Sequence, residues 1–115
     1  MQYAYVVNFW YEAGRLDFAG IFSNADTMLD TLKGIRMDIC RDEVRHLFLK
    51  AEHSGVIERE FIGIWKVEVC RAPVSWIPAG HVDNYWIDTV MGVWVSPLQK
   101  GVNYSITVCD GYVRL

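Results

Sequence analysis

At 115 residues the chain is read as one domain, 1–115, able to bury about 65% of the surface its unfolded form exposes. Its 52% hydrophobic and 22% charged content is globular and excludes a disordered chain. Eleven basic and fourteen acidic residues give a net charge of −3 with no basic run, so no nucleic-acid partner is expected. No apolar stretch nears the ~18 residues of a membrane span, so no membrane is expected either.

Residues 3–12, YAYVVNFWYE, are β-branched and aromatic and read as a strand. Ala13 and Gly14 turn the chain, and LDFAGIFS, 16–23, returns as a second strand. Period-2 alternation puts Leu16, Phe18 and Phe22 on one face, with Gly20 in line. A short helix follows, capped by Ser23 or Asn24, with Asp26 in the first turn. Its buried stripe is Ala25, Met28, Leu29 and Leu32, and Gly34 ends it as the residue that tolerates positive φ.

A second helix is predicted over 38–53, capped by Asp38 and closed by His53 and Gly55. Cys40, Val44, Leu47, Phe48 and Ala51 form its inner stripe. EFIGIWKVEVC, 60–70, reads as one strand with Phe61, Trp65, Val67 and Val69 on one face and Lys66 and Glu68 on the other. A proline-rich loop leads to a strand at 85–95, then one at 102–109. Asp110-Gly111 turns into YVRL, a short edge strand. The order is ββααββββ, which predicts an α+β fold: a single antiparallel sheet with both helices packed on one face. The exposed backbone of YVRL makes a homodimer conceivable.

Three cysteines, Cys40, Cys70 and Cys109, are widely spaced and contain no C-x-x-C. That pattern predicts reduced thiols. With no basic region opening the chain, it places the protein in a cytoplasm.

GHVDNYW, 80–86, is the stretch that most resembles a working site. His81 and Asp83 have the spacing of a metal-binding pair. The other histidines, His46 and His53, precede them on the second helix, which is the wrong order for that pattern. Asp83 and Asn84 more simply start a turn. Glu43 and His46 are half of a di-iron motif whose second half is missing, and Asp42 with His46 reads as a surface pair. Cys40, near a helix start, has no local histidine to activate it. Phosphate loops and nucleophile elbows are absent. The sequence thus gives no catalytic residue, no metal ligand and no cofactor, and an enzyme using His81 and Asp83 is the minority reading.

Five tryptophans are many for a core this size. Trp76, between Pro73 and Pro78, is expected at the surface. Trp86, Asp88 and Trp94 share one face of the 85–95 strand. They project outward if that face is open and are buried if the sheet is covered on both sides. The candidate binding residues are Trp76, His81, Asp83, Tyr85, Trp86, Asp88 and Trp94.

The stretch YVVNFWYEAGRLDFAGIFSNADTMLDTL, with Gly-hydrophobe-Phe-Ser before a helix, resembles a group of small uncharacterised phage and bacterial proteins. IWKVEVCRAPVSW continues the likeness, while the second helix and the strands after 85 depart from it. The resemblance implies a mobile-element setting. The first expectation is therefore a non-catalytic binding protein in the cytoplasm of a host bacterium. It would bind and inhibit a host protein, for instance as an anti-CRISPR. The alternative is a small-ligand (nucleotide) sequestering protein with an aromatic pocket, lined by Trp76, Trp86 or Trp94 beside Arg71 or Arg114.

Overall fold

The structure is a computed structural model that describes residues 2–11 and 14–87. Their elements are β1 (Tyr3–Tyr11), β2 (Arg15–Phe22), α1 (Ala25–Gly34), α2 (Arg41–Ser54), β3 (Glu58–Ile62), β4 (Trp65–Pro73) and β5 (Asn84–Ile87). The strands form one antiparallel sheet in the order β3-β4-β1-β2-β5. Both helices pack on one face of it, so the fold is α+β. The strands expected at 102–109 and 112–115, and the end of the one expected at 85–95, lie outside the described residues.

The centre of the helix-covered face is apolar, with Glu60 at its β3 edge paired to Lys50 of α2. Val7 and Phe9 of β1, Phe18 and Phe22 of β2, and Val67 and Val69 of β4 meet Met28, Leu29 and Leu32 of α1 and Val44, Leu47, Phe48 and Ala51 of α2. These side chains recur at the strand period of 2 and the helix period of 3.6, which is why the two layers fit.

Four local expectations change. First, the 60–70 segment is not one strand. Ile62 pairs with Trp65 across a two-residue turn, with Gly63 at φ 61° supplying the left-handed conformation. The turn reverses the face pattern, so Phe61 pairs with Lys66 and is 80% exposed instead of sharing the core face with Val67.

Second, Leu16 does not share a face with Phe18. Phe9 pairs with Phe18 but Trp10 pairs with Leu16, so Asp17 is an extra residue in a β-bulge. The bulge turns Leu16 to the opposite face.

Third, Gly34 is the last residue of α1 but does not supply its left-handed ending. The left-handed residue is Arg36, at φ 60°. The Met37 N–H donates to Leu32 O at 2.8 Å and the Arg36 N–H to Lys33 O at 3.1 Å. This pair of bonds is the Schellman ending, which satisfies the helix's last carbonyls. The N-terminal end follows expectation: Asn24 Oδ1 accepts from the Thr27 N–H at 2.8 Å.

Fourth, α2 begins at Arg41. Cys40 is its N-cap, exposed and without a side-chain capping bond, and Asp38 lies two residues further out. Gly55, at φ 68°, closes the helix as expected. Cys40 is a free thiol, whereas Cys70 belongs to a disulfide, so the expectation of reduced thiols fails at Cys70.

β4 and β5 are separated in the sheet by β1 and β2, so the chain between them must cross the sheet. It does so over the face that the helices leave open. Val74, Ile77 and Val82 of this crossing, with Trp86 of β5, pack on Ala4, Val6, Ala19, Ile21 and Ala72. The sheet is therefore covered on both sides at this end.

Candidate functional site

The bulge, the Schellman ending and one glycine together shape a cavity of about 380 Å³ at the edge of the main core. Its walls are the side chains of Trp65, Tyr85, Met37, Ile35 and Ile87. Arg15 and Asp17 stand at its polar end. A volume of this size suits a small organic ligand.

Each wall has a local cause. The reversal at Arg36 sends Met37 back onto the core beside Ile35, the helix's C-cap, and both pack against its buried side chains. Trp65 opens β4 directly after the Gly63 turn. Its ring meets Phe9 edge-on at 6.0 Å, and its indole N–H donates to Asp17 Oδ2 at 3.0 Å. Asp17 can reach it because the bulge displaces this residue from the regular alternation. Tyr85 pairs with Gly20 on β2, and its ring lies on Phe18 at 5.6 Å. A Cβ on Gly20 would sit 2.5 Å from the Phe22 ring and 3.0 Å from Tyr85 Cβ. Only glycine lets Tyr85 and Phe22 occupy these places.

At the polar end Arg15 Nη2 lies 2.9 Å from Asp17 Oδ1, an ion pair without hydrogen-bond alignment. The Arg15 guanidinium also stands 5.3 Å from the centre of the Tyr11 ring. The Arg15 side chain is 41% exposed and that of Asp17 only 16%. The cation is thus the accessible member of the pair.

Among the described residues, those expected to form a site are placed as follows. Tyr85 lines the cavity. Trp86, its neighbour on the strand, points to the other face and is buried. Its outward projection is excluded because the β4–β5 crossing covers that face. Trp76 is half-exposed at the end of a 3-10 turn, Val74–Trp76, away from the cavity lining.

Asp83 closes a turn. Its backbone N–H donates to Ile21 O, and its carboxylate accepts from the Ser23 N–H at 2.8 Å and the Ser23 hydroxyl at 3.0 Å. Asn84 Nδ2 donates to Gly80 O at 2.7 Å. His81 is partly buried, and burial holds its imidazole below the usual pKa. GHVDNYW is thus the turn that fastens β5 onto the end of β2. Asp88 and Trp94 lie outside the described residues. Asp42 pairs with Arg45 at 3.6 Å rather than with His46. Among the described residues no group of three or more His, Cys, Asp or Glu side chains is placed to hold a metal ion.

Sequence reasoning missed Arg15, Asp17, Met37 and Trp65. The usable signal was Asp17 itself, a carboxylate inside an otherwise apolar strand. A polar residue there marks either a bulge or a partner.

No family model, no curated protein and no solved structure matches the chain. No helix among the described residues is long and apolar enough to cross a membrane.

Proposed function

We propose that the protein acts by binding, and that its ligand is a small, largely apolar molecule held between Trp65 and Tyr85. One observation carries this reading: a cavity of about 380 Å³ with aromatic and aliphatic walls and one charged end. Apolar walls with a few placed polar groups are the common form of a ligand site. The aromatic walls of this cavity are Trp65 and Tyr85; Trp76 and Trp86, expected to line such a pocket, stand elsewhere, and Trp94 lies outside the described residues. The test is titration of ¹⁵N-labelled protein with small aromatic compounds. The Trp65 indole N–H and the Met37 and Ile87 amides should shift together and saturate. Shifts scattered over the surface would sink the reading.

A second reading is favoured by Phe61 and Ile64, exposed at 80% and 62% on the edge strand β3 and its turn. Large exposed side chains of this kind serve as contacts for a protein partner. In that case the protein is a mobile-element product that occupies a host defence protein. Inhibition of a CRISPR effector's target cleavage, lost in a Phe61→Ser, Ile64→Ser variant, would support it. Unimpaired cleavage at saturating protein would count against it.

A further inference from the structure

We propose that the cavity selects a carboxylate: an aromatic or branched monocarboxylic acid whose ring lies between Trp65 and Tyr85 and whose carboxylate pairs with Arg15. This rests on the cavity being a ligand site and adds the class of ligand.

The argument is an inventory of donors and acceptors at the polar end. Asp17 Oδ2 is already used by the Trp65 indole N–H at 3.0 Å. Asp17 Oδ1 is sealed from solvent, so an incoming cation cannot reach it. The acceptor side is therefore closed. A guanidinium carries five N–H donors in a fork that matches a carboxylate. Among the described residues Arg15 uses one edge toward Asp17 and faces the Tyr11 ring, and its side chain remains 41% exposed. The donor side is open.

Asp17 has a second effect. Standing beside Arg15 and anchored by Trp65, it holds the guanidinium at the cavity instead of letting it swing into water. The bulge that turns Asp17 inward thereby links the aromatic wall to the cation. The rest of the lining, Ile35, Met37 and Ile87, supplies dispersion contact only.

The selectivity follows from desolvation. A carboxylate brought into an apolar cavity without a partner costs several kcal/mol, on the order of the unpaired-ion penalty. Paired with Arg15 it is compensated. An amine of the same shape meets the guanidinium as a like charge.

The experiment uses three probes with one ring system: 2-naphthylacetic acid, its amide, and 2-naphthylethylamine. Each is titrated into the folded protein and followed at the Trp65 indole N–H resonance. The acid should bind about tenfold or more tightly than the amide, the scale of one charged hydrogen bond. The amine should be weakest. Arg15→Gln should reduce the acid to about the affinity of the amide, while the amide, which loses only a neutral acceptor's hydrogen bond, should fall far less. Arg15→Lys should restore part of the difference, as a point charge without the fork.

Equal affinity for acid and amide would overturn the carboxylate assignment and leave the cavity as a ligand site. Preference for the amine would overturn it too and make Asp17 the reading group. Failure of all three probes to shift Trp65 would overturn the cavity reading and this assignment with it. Wild-type amide resonances of Arg15→Gln away from the cavity, in β3 and α2, show that the variant still folds.

Discussion

The two faces of the sheet are built differently. The face under the helices has a closed apolar centre in which Val7, Phe9, Phe18, Phe22, Val67 and Val69 have no polar neighbour among the buried residues. The opposite face is divided. At one end the β4–β5 crossing seals alanines and branched side chains around Trp86. At the other, Glu68 is nearly buried on β4, accepting from the Trp10 indole and from Arg59 Nε at 2.5 Å, with Asn8 buried on the adjacent β1. A layer made by helices needs only the right period of apolar residues. A layer made by a crossing loop and polar side chains needs particular partners, and those partners are distant in sequence.

Core substitutions should separate the faces most. Phe9→Ala removes a fully buried ring from the helix-covered layer and should cost about 3–5 kcal/mol in urea unfolding. Gly20→Ala adds one methyl group where Phe22 and Tyr85 leave no room and should cost about 1–3 kcal/mol. It should also displace Tyr85 and weaken any ligand in the cavity, an effect Phe9→Ala cannot show cleanly because it threatens the whole fold. If Gly20→Ala proves neutral in stability and in ligand affinity, the glycine is not what positions Tyr85.

On the opposite face, Glu68→Ala leaves the Trp10 indole N–H without its acceptor and should cost about 1–3 kcal/mol. The exposed Arg59 loses little, because water replaces the carboxylate. Glu68→Gln keeps an acceptor and should recover much of the loss. Equal losses for the two variants would show that charge, not hydrogen bonding, holds this end together.

The same contrast explains what could be read from the sequence. The helix-facing stripes of both helices (except Cys40, which is the exposed N-cap of α2), the β1–β2 hairpin and the α+β class follow from the pattern and order of the elements. The bulge at Asp17 does not, because Leu16, Phe18 and Phe22 still alternate when the extra residue is overlooked. The Gly63 turn hides inside EFIGIWKVEVC for a related reason. Pairing of Ile62 with Trp65, three residues on, inverts the alternation, but an apolar Phe61 stands where an unbroken strand would also place one, so the sequence pattern does not show the reversal. Trp86 was ambiguous because its burial depends on the crossing segment, which has no periodicity of its own. The cavity combines all three kinds of feature, so its residues were the least legible.

A smaller effect comes from the turn that shapes the cavity. Arg36 adopts a left-handed conformation that costs a residue with a Cβ about 1 kcal/mol relative to glycine. Arg36→Gly should therefore raise stability by about 0.5–1 kcal/mol, seen as a higher urea midpoint at unchanged slope, less the entropy glycine adds to the unfolded chain. Its side chain is exposed and absent from the cavity lining, so ligand affinity should not change. A destabilised Arg36→Gly would mean that the arginine side chain makes a contact worth more than the strain.

The smallest effect is a pH dependence at the covered end of the opposite face. Burial lowers the pKa of His81 from its usual value, so the folded protein favours the neutral imidazole. The unfolded chain then takes up the proton first, near pH 6.5. Stability from this group is complete above that value and is lost as the pH falls toward the lower folded pKa. Because His81 is only partly buried, the change should be modest. Urea midpoints at about pH 7.5 and about pH 5.5 should differ more in the wild-type protein than in His81→Gln. If His81→Gln keeps the full pH dependence, the GHVDNYW turn is held by Asp83 and Asn84 alone, and the imidazole contributes only its shape.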